Sequence, residues 1–151
     1  MNICFVCAGN ACRSPFAESV LRKLATEASM NDIKVWSCGT INWGTNPRDE
    51  VMAGIAEDMG YEMTGTTTYM RQEPLMEADI IIVFEKCHRD FLTRVLDYAH
   101  WDRIHFFGQM AFGTDTEVED PSCKSEHHYR TTAQHIEEGC RRILAMLTRT
   151  A

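Results

Sequence analysis

The sequence lacks a long apolar run, since it contains no stretch of 18 consecutive apolar residues. A helix that crosses a bilayer needs about 20 such residues, so we expect no membrane span and no membrane partner. An excess of basic residues is also missing, because 15 lysines and arginines stand against 22 acidic residues, for a net charge of −7. Binding to a nucleic-acid backbone needs the opposite balance, so we expect no nucleic-acid partner.

Signs of secretion and of a disulfide framework are absent as well. The first predicted strand begins directly after Met1, which leaves no room for a signal peptide. Seven cysteines are an odd number, in a chain of 151 residues that is long enough to form a core without disulfides. We therefore predict free thiols, a cytoplasmic location and, with no repeat or linker, a single domain over residues 1–151.

Strand and helix patterns alternate along the chain. Predicted strands cover residues 2–6, 33–37, 78–84 and 103–107, predicted helices cover 15–28, 47–59, 88–97 and 129–148, and residues 62–72 and 108–125 are predicted to be irregular. The third strand is continuously apolar, which is typical of a parallel strand buried on both faces. The sequence predicts an α/β fold, a three-layer sandwich in which a central four-stranded parallel sheet has helices on both faces.

The most informative segment is residues 6–15, which read Val-Cys-Ala-Gly-Asn-Ala-Cys-Arg-Ser-Pro. It joins the first predicted strand to the first predicted helix through a turn at Gly9, with Pro15 at the first helical position. Loop amides and a helix N-terminus together favour an anion, so we expect the segment to bind phosphate or sulfate. Cys7 at such a site loses its proton easily, because the loop stabilises a thiolate as it stabilises phosphate.

A second candidate lies far along the chain, in the predicted loop over residues 108–125. This loop leaves the carboxyl end of the fourth strand, at the same edge of the sheet as the segment that contains Cys7. Pro121 restricts Asp120 to an extended backbone, which helps to aim its carboxyl group. Asp120 is either a general acid or part of a solvated acidic turn, and the nearby cysteine segment favours the general acid.

These residues resemble the low-molecular-weight protein tyrosine phosphatase family. The matches are Val6-Cys7-x-Gly9-Asn10-x-Cys12-Arg13-Ser14-Pro15-x-Ala17-Glu18, Ser37-x-Gly39-Thr40, Trp43, Arg71-Gln72 and Asp120-Pro121. Length and element order agree as well, so the resemblance covers essentially the whole chain. It implies hydrolysis of a phosphorylated protein substrate, with phosphotyrosine favoured, and it requires neither a metal nor an organic cofactor.

The resemblance also implies roles for individual residues. Cys7 is the nucleophile that forms a phosphocysteine, Arg13 holds two phosphate oxygens, and Asp120 protonates the leaving oxygen. The phosphate-binding residues are Ala8, Gly9, Asn10, Ala11, Cys12 and Arg13. Ser14 stabilises the sulfur as a leaving group, and the side chain of Asn10 fixes the loop.

Cys12 and Trp43 each have two interpretations. Cys12 is either a redox partner that forms a disulfide with Cys7, as the resemblance implies, or a small buried residue. Trp43 is either a wall of the substrate site or a surface packing residue.

Departures from the family concern the substrate. Ser122 and Cys123 follow Asp120-Pro121, where the family commonly has aromatic residues. Ala11 is smaller than the aliphatic residue of many tyrosine-specific members and differs from the threonine of protein-arginine phosphatase relatives. Protein-arginine phosphatase activity therefore remains an alternative.

Other hypotheses are weaker. Thioredoxin-coupled arsenate reductase resembles this loop, but it needs two further cysteines close together, and the next cysteine after Cys87 is Cys123. A phosphopeptide-binding module without turnover is disfavoured because the nucleophile, the arginine and the acid are all present. Cys4-x2-Cys7 has zinc-ligand spacing, yet Cys4 stands in an apolar strand, so we predict a core position for it and no metal.

Overall fold

A four-stranded parallel sheet forms the middle of the protein, in a computed structural model that describes residues 1–150. Its strands are β1 (Asn2–Cys7), β2 (Lys34–Gly39), β3 (Ile80–Val83) and β4 (Ile104–Phe106), in the spatial order β2-β1-β3-β4. The chain first moves from β1 to one side and then crosses to the other, so the strand order reverses beside β1. Ligands of parallel α/β sheets bind at the carboxyl ends of strands at such a point, and β1 ends here at Cys7.

Helices cover both faces of this sheet. The helices are α1 (Arg13–Glu27), α2 (Glu50–Asp58), α3 (Gln72–Met76), α4 (Lys86–Val95), α5 (Phe107–Phe112), α6 (Glu126–Thr150) and a 3-10 helix over Tyr98–Arg103. No helix among residues 1–150 combines the length and apolarity that a membrane crossing requires.

Two apolar cores lie on opposite sides of the sheet. Ile3 and Phe5 of β1 pack into a core with α1, α2, α5 and α6. Cys4 and Val6 pack into a second core with α3 and α4. Successive side chains of a strand point to opposite faces, so a sheet covered twice needs an unbroken apolar run. The predicted three-layer α/β sandwich is confirmed.

The predicted loop over residues 108–125 is wrong at its start, because α5 occupies Phe107–Phe112. Phe107 and Ala111 are buried one helical turn apart, and Gly113 ends the helix with a φ of 66°. The α6 helix accommodates Phe107 only because residue 139 is glycine, since a Cβ there would lie 2.2 Å from Cζ of the ring. A six-residue helix held by such a contact is too short to show periodicity in the sequence.

Helix boundaries differ from the predictions by a few residues. The first helix begins at Arg13, so Pro15 stands at its third position rather than its first. A proline is tolerated there because the first four N–H groups of a helix have no partner within the helix. The second helix begins at Glu50 rather than at residue 47, because Asp49 caps it and its Oδ1 accepts a 2.9 Å hydrogen bond from the Met52 N–H.

Candidate active site

The site is built around the 8–13 loop, the segment that connects β1 to α1. Three carbonyl groups of this region accept hydrogen bonds from backbone N–H groups outside it: Cys7 O from Thr40 at 3.0 Å, Ala8 O from Ile41 at 3.0 Å, and Ala11 O from Asp49 at 2.8 Å. A cavity of about 270 Å³ lies beside this loop. Because the N–H of a peptide unit points opposite to its C=O, the outward carbonyls imply that the loop amides face this cavity. The loop is therefore preorganised for an anion.

Gly39 at the end of β2 lets the neighbouring strand approach this loop. A Cβ at position 39 would lie 2.5 Å from the Ala8 carbonyl oxygen and 3.0 Å from the Asn10 nitrogen, so any side chain would displace the loop. The match of Gly39 to the family pattern therefore reflects close backbone packing at the site.

The Cys7 side chain lies at the base of the cavity and contacts a serine. Its Sγ is 2.9 Å from Ser14 Oγ, and both residues are buried. Asn10 Nδ2 donates to the same Ser14 Oγ at 2.9 Å, so the Ser14 hydroxyl proton is free to point toward the sulfur. A hydroxyl that donates to sulfur favours the thiolate over the thiol. This geometry agrees with the role predicted for Ser14.

Asn10 is fully buried and uses both ends of its side-chain amide. Besides the bond to Ser14, Nδ2 donates to Ser37 Oγ at 2.9 Å, and Ser37 donates to Glu18. Oδ1 accepts from the Thr68 N–H at 2.9 Å. The backbone φ of Asn10 is 55°, a left-handed conformation that asparagine tolerates better than most residues. The side-chain bonds therefore hold the loop in a conformation that the backbone alone disfavours.

The guanidinium group of Arg13 is buried, with 2% of the residue exposed, and is held from one side. Nη1 donates to Glu85 Oε2 and to the Val118 carbonyl oxygen, both at 2.7 Å. These are its hydrogen bonds within residues 1–150, and they leave Nε and Nη2 for a ligand in the cavity that Arg13 lines. Burial opposes the charge, but the negative charges of Cys7 and Glu85 raise the pKa of Arg13 above its ordinary value.

Asp120 lies on the same cavity as Cys7 and Arg13, although more than a hundred residues separate it from them in the chain. Its Oδ1 accepts a 3.0 Å hydrogen bond from the Ser122 N–H, a local turn that steadies the carboxyl group. Pro121 is buried and anchors the segment, while Asp120 itself remains exposed to solvent. The arrangement can deliver a proton to a group leaving the cavity.

Trp43 and Ile41 form an apolar wall of the cavity. Both are about half exposed, at 50% and 53%. Trp43 Nε1 donates to the Gly9 carbonyl oxygen at 2.9 Å, which fixes the ring against the loop. Ser122 also lines the cavity and adds no aromatic surface.

Cys12 lines the cavity together with Cys7 and is buried. Burial and the negative charge of Asp49 raise the pKa of the Cys12 thiol, so Cys12 stays protonated. Both cysteines are free.

Asp49 connects the 8–13 loop to the last helix. Besides its bond to Ala11, its Oδ2 accepts a 2.9 Å hydrogen bond from the Tyr129 hydroxyl. Burial and this bond raise the pKa of Tyr129 to about 12. Neither residue was assigned a role from its sequence pattern.

Among residues 1–150, one group has metal-ligand character: Glu85, Cys87 and His88 have ligand atoms within 4.8 Å of one another. The group does not fit a metal. His88 Nδ1 accepts a 3.1 Å hydrogen bond from the Glu85 N–H, so Nε2 carries the proton of the neutral ring and has no lone pair to offer. The Glu85 carboxylate is already bound to Arg13.

Cys4 and Cys7 have the spacing of zinc ligands in the sequence, but their positions in the structure do not allow them to bind one zinc ion together. The two side chains belong to cores on opposite faces of the sheet. Cys4 is fully buried beside Cys38, as the core interpretation predicted.

The sequence missed Glu85, which lies two residues beyond the end of β3 and caps α4. Its place at the carboxyl end of a buried strand was a signal that could have found it. Arg48, which also contacts the loop, stands in a predicted helix and gave no comparable signal.

Comparison with known proteins agrees with this geometry. A family model described as low molecular weight phosphotyrosine protein phosphatase matches residues 2–151. A low molecular weight protein-tyrosine-phosphatase of Streptomyces coelicolor is 27% identical and aligns with 95% of this chain and 91% of its own length. A protein-arginine-phosphatase of Bacillus subtilis is 24% identical, with 97% of each chain aligned.

Among solved structures, a low molecular weight phosphotyrosine phosphatase of Vibrio cholerae superposes with a TM-score of 0.94. It is 28% identical, with 100% of this chain and 99% of that chain aligned. The family match spans nearly the whole sequence, and the four-stranded parallel sheet and the anion loop agree with it. The chain therefore belongs to the low molecular weight protein tyrosine phosphatase family.

Proposed function

We propose that the protein hydrolyses phosphate monoesters on phosphorylated proteins, with phosphotyrosine favoured, through a phosphocysteine at Cys7. The observation that carries this proposal is that Cys7, Arg13 and Asp120 line one cavity. Within it, the cysteine sulfur lies 2.9 Å from a serine hydroxyl that can stabilise a thiolate. The proposal treats residues 1–151 as one catalytic domain, because both apolar cores share a single sheet.

In the first step the Cys7 thiolate attacks phosphorus. The S–P bond forms while the P–O bond to the leaving group breaks, and Asp120 gives its proton to the departing oxygen. Two nitrogens of Arg13 and the inward-facing amides of the 8–13 loop bind the three remaining phosphate oxygens. These groups act by positioning the phosphate and stabilising its charge, which are the main requirements of phosphoryl transfer.

In the second step water hydrolyses the phosphocysteine. Asp120, now a carboxylate, takes a proton from the attacking water, and the P–S bond breaks to release inorganic phosphate. The Ser14 hydroxyl donates a hydrogen bond to the departing sulfur and keeps its proton, so Cys7 leaves as the thiolate. Neither step calls for a metal or an organic cofactor.

The shape of the cavity supports an aromatic phosphate ester. Trp43 and Ile41 offer an apolar wall on which a phenyl ring can pack. Ala11 leaves the floor open, and the Bacillus subtilis relative is named a protein-arginine-phosphatase, so phosphoarginine is the second candidate substrate. Steady-state hydrolysis of matched phosphotyrosine and phosphoarginine peptides decides between them.

Hydrolysis of para-nitrophenyl phosphate tests the mechanism. We expect Cys7→Ser to abolish turnover, while Cys123→Ser, an exposed cysteine outside the cavity, keeps the full rate. Turnover that survives in Cys7→Ser would end the phosphocysteine mechanism. Rapid acid quenching of the wild type should also trap phosphate on the Cys7 peptide.

The role of Asp120 is tested separately. Asp120→Ala should slow kcat roughly 10²–10⁴-fold, which is the usual contribution of a general acid. Asp115→Ala, an exposed carboxylate of the same segment, serves as the control. A full rate in Asp120→Ala would assign the proton transfer to another carboxylate, such as Asp115 or Glu119.

Two finer proposals concern redox chemistry and location. Cys12 and Cys7 share the cavity, so one equivalent of peroxide can oxidise the pair to a disulfide and release two waters. Mass spectrometry after mild peroxide checks for this bond, and its absence would leave Cys12 as a packing residue. All seven cysteines are free thiols, which supports a cytoplasmic location.

A further inference from the structure

Arg48 contacts the 8–13 loop from outside the cavity. It precedes α2 by two residues and is half-buried. Its Nη1 donates to both oxygens of Asn10, the backbone carbonyl and, at 2.6 Å, the side-chain Oδ1. Its Nε donates to the Thr64 carbonyl oxygen at 3.3 Å, which anchors the guanidinium to a different segment. The Arg48 guanidinium is therefore fixed on one side of Asn10, and the Asn10 side chain contacts Ser14 on the other.

This contact, together with the Thr68 N–H, decides which way the Asn10 amide faces. With Oδ1 toward the Arg48 cation and the Thr68 N–H, the Nδ2 donors point toward Ser14 and Ser37. The flipped amide would set its NH₂ group against a guanidinium and an N–H, donor against donor. Only the observed orientation supplies Ser14 with a donor, and only then is the Ser14 hydroxyl proton directed at the sulfur.

Arg48 also brings charge near the nucleophile. Burial lowers the pKa of Arg48, while the negative charges of Glu18 and Cys7 act in the opposite direction. Arg48 therefore remains a cation close enough to Cys7 to interact with its thiolate. It acts from the side of the loop opposite the cavity, whereas Arg13 lines the cavity itself.

We propose that Arg48 is a positioning residue for the reaction, which orients Asn10 so that the Ser14 hydroxyl stabilises the Cys7 thiolate. The inference rests on the proposed function for its kinetic consequences, but its effect on the sulfur is independent of turnover. Arg48 touches neither phosphate nor the leaving group, so substrate affinity changes less than the chemical step.

The test compares the wild type with Arg48→Met and Arg48→Lys. Loss of the charge-assisted hydrogen bonds to Asn10 in Arg48→Met should lower kcat/KM for para-nitrophenyl phosphate roughly 10–100-fold, mainly through kcat. Because less thiolate is present at a given pH, the acidic limb of the kcat/KM profile should move to higher pH by about half a unit or more. Arg48→Lys keeps a cation that can reach Oδ1 and should restore most of both effects.

Alkylation separates this inference from the proposed function. The rate at which iodoacetamide modifies Cys7, followed by mass spectrometry of its peptide, should show the same displacement along the pH axis, even in a protein without phosphatase activity. Arg130→Met, an exposed arginine paired with Asp58, is the matched control and should leave both curves unchanged.

An unmoved pH curve in Arg48→Met would overturn the inference, whether or not activity falls. If near-ultraviolet circular dichroism shows that Arg48→Met is misfolded, Arg48→Leu replaces it under the same criterion, since leucine likewise has neither a donor nor a charge. A pH curve displaced in Arg48→Leu and restored in Arg48→Lys supports the positioning role.

Discussion

Replacing His88 by glutamine should make the protein less sensitive to mild acid. His88 is 1% exposed, and its Nδ1 accepts a hydrogen bond from the Glu85 N–H. Burial and the positive charge of Arg13 lower the pKa of His88 from 6.5 to about 4. The imidazole is therefore neutral in the folded protein throughout the range in which a solvated histidine takes up a proton.

The sign and size of the effect follow from this difference in pKa. Between pH 6.5 and pH 4 the unfolded chain binds a proton at residue 88 and the folded protein does not, so stability falls as the pH drops through that window. Above pH 6.5 the contribution of His88 to the free energy of unfolding is fully present. Lowering the pH from 7 to 5 should therefore cost about 2 kcal/mol through this residue alone.

Urea unfolding at both pH values measures the effect. Other groups titrate as well, so the informative quantity is the acid-induced loss in the wild type minus that in His88→Gln, expected near 2 kcal/mol. His127→Gln, at an exposed position, is the control and should behave as the wild type. Equal acid-induced losses in the wild type and His88→Gln would refute a neutral, buried imidazole at this position.

Three further changes have defined outcomes. Glu85→Gln should lower the free energy of unfolding by about 1–3 kcal/mol and weaken competitive inhibition by phosphate, because the buried arginine loses its anionic partner; unchanged urea midpoints and inhibition would contradict this. Gly139→Ala should lower the free energy of unfolding by about 1–3 kcal/mol because its Cβ presses on Phe107, whereas Gly54→Ala, whose Cβ would meet nothing within 4 Å, should not destabilise the protein. Equal thermal unfolding midpoints for the two variants would contradict this prediction. Trp43→Ala should raise KM for para-nitrophenyl phosphate roughly 3- to 10-fold with little change in kcat. An unchanged KM would contradict the role of Trp43 as a wall of the substrate site.

The sequence by itself determined the α/β fold and the segment that carries the nucleophile. An apolar strand, a short loop and a helix follow one another here in the chain, so this order could be predicted from local preferences. The details differ, because the helix begins at Arg13 rather than at residue 15 and the left-handed residue of the loop is Asn10 rather than Gly9. Cys7 and Ser14 are seven residues apart and meet through that local turn. Residue types alone are enough to predict such short-range features.

Only the tertiary structure decided what surrounds this segment. Glu85 and Val118, which hold Arg13, stand 72 and 105 residues from it in the chain, and Arg48 reaches Asn10 across 38. The short α5 helix likewise depends on the space that Gly139 leaves in α6. These contacts exist because the strand order brings the ends of β1, β2 and β3 to one edge, and no local pattern records which distant side chains that edge brings together.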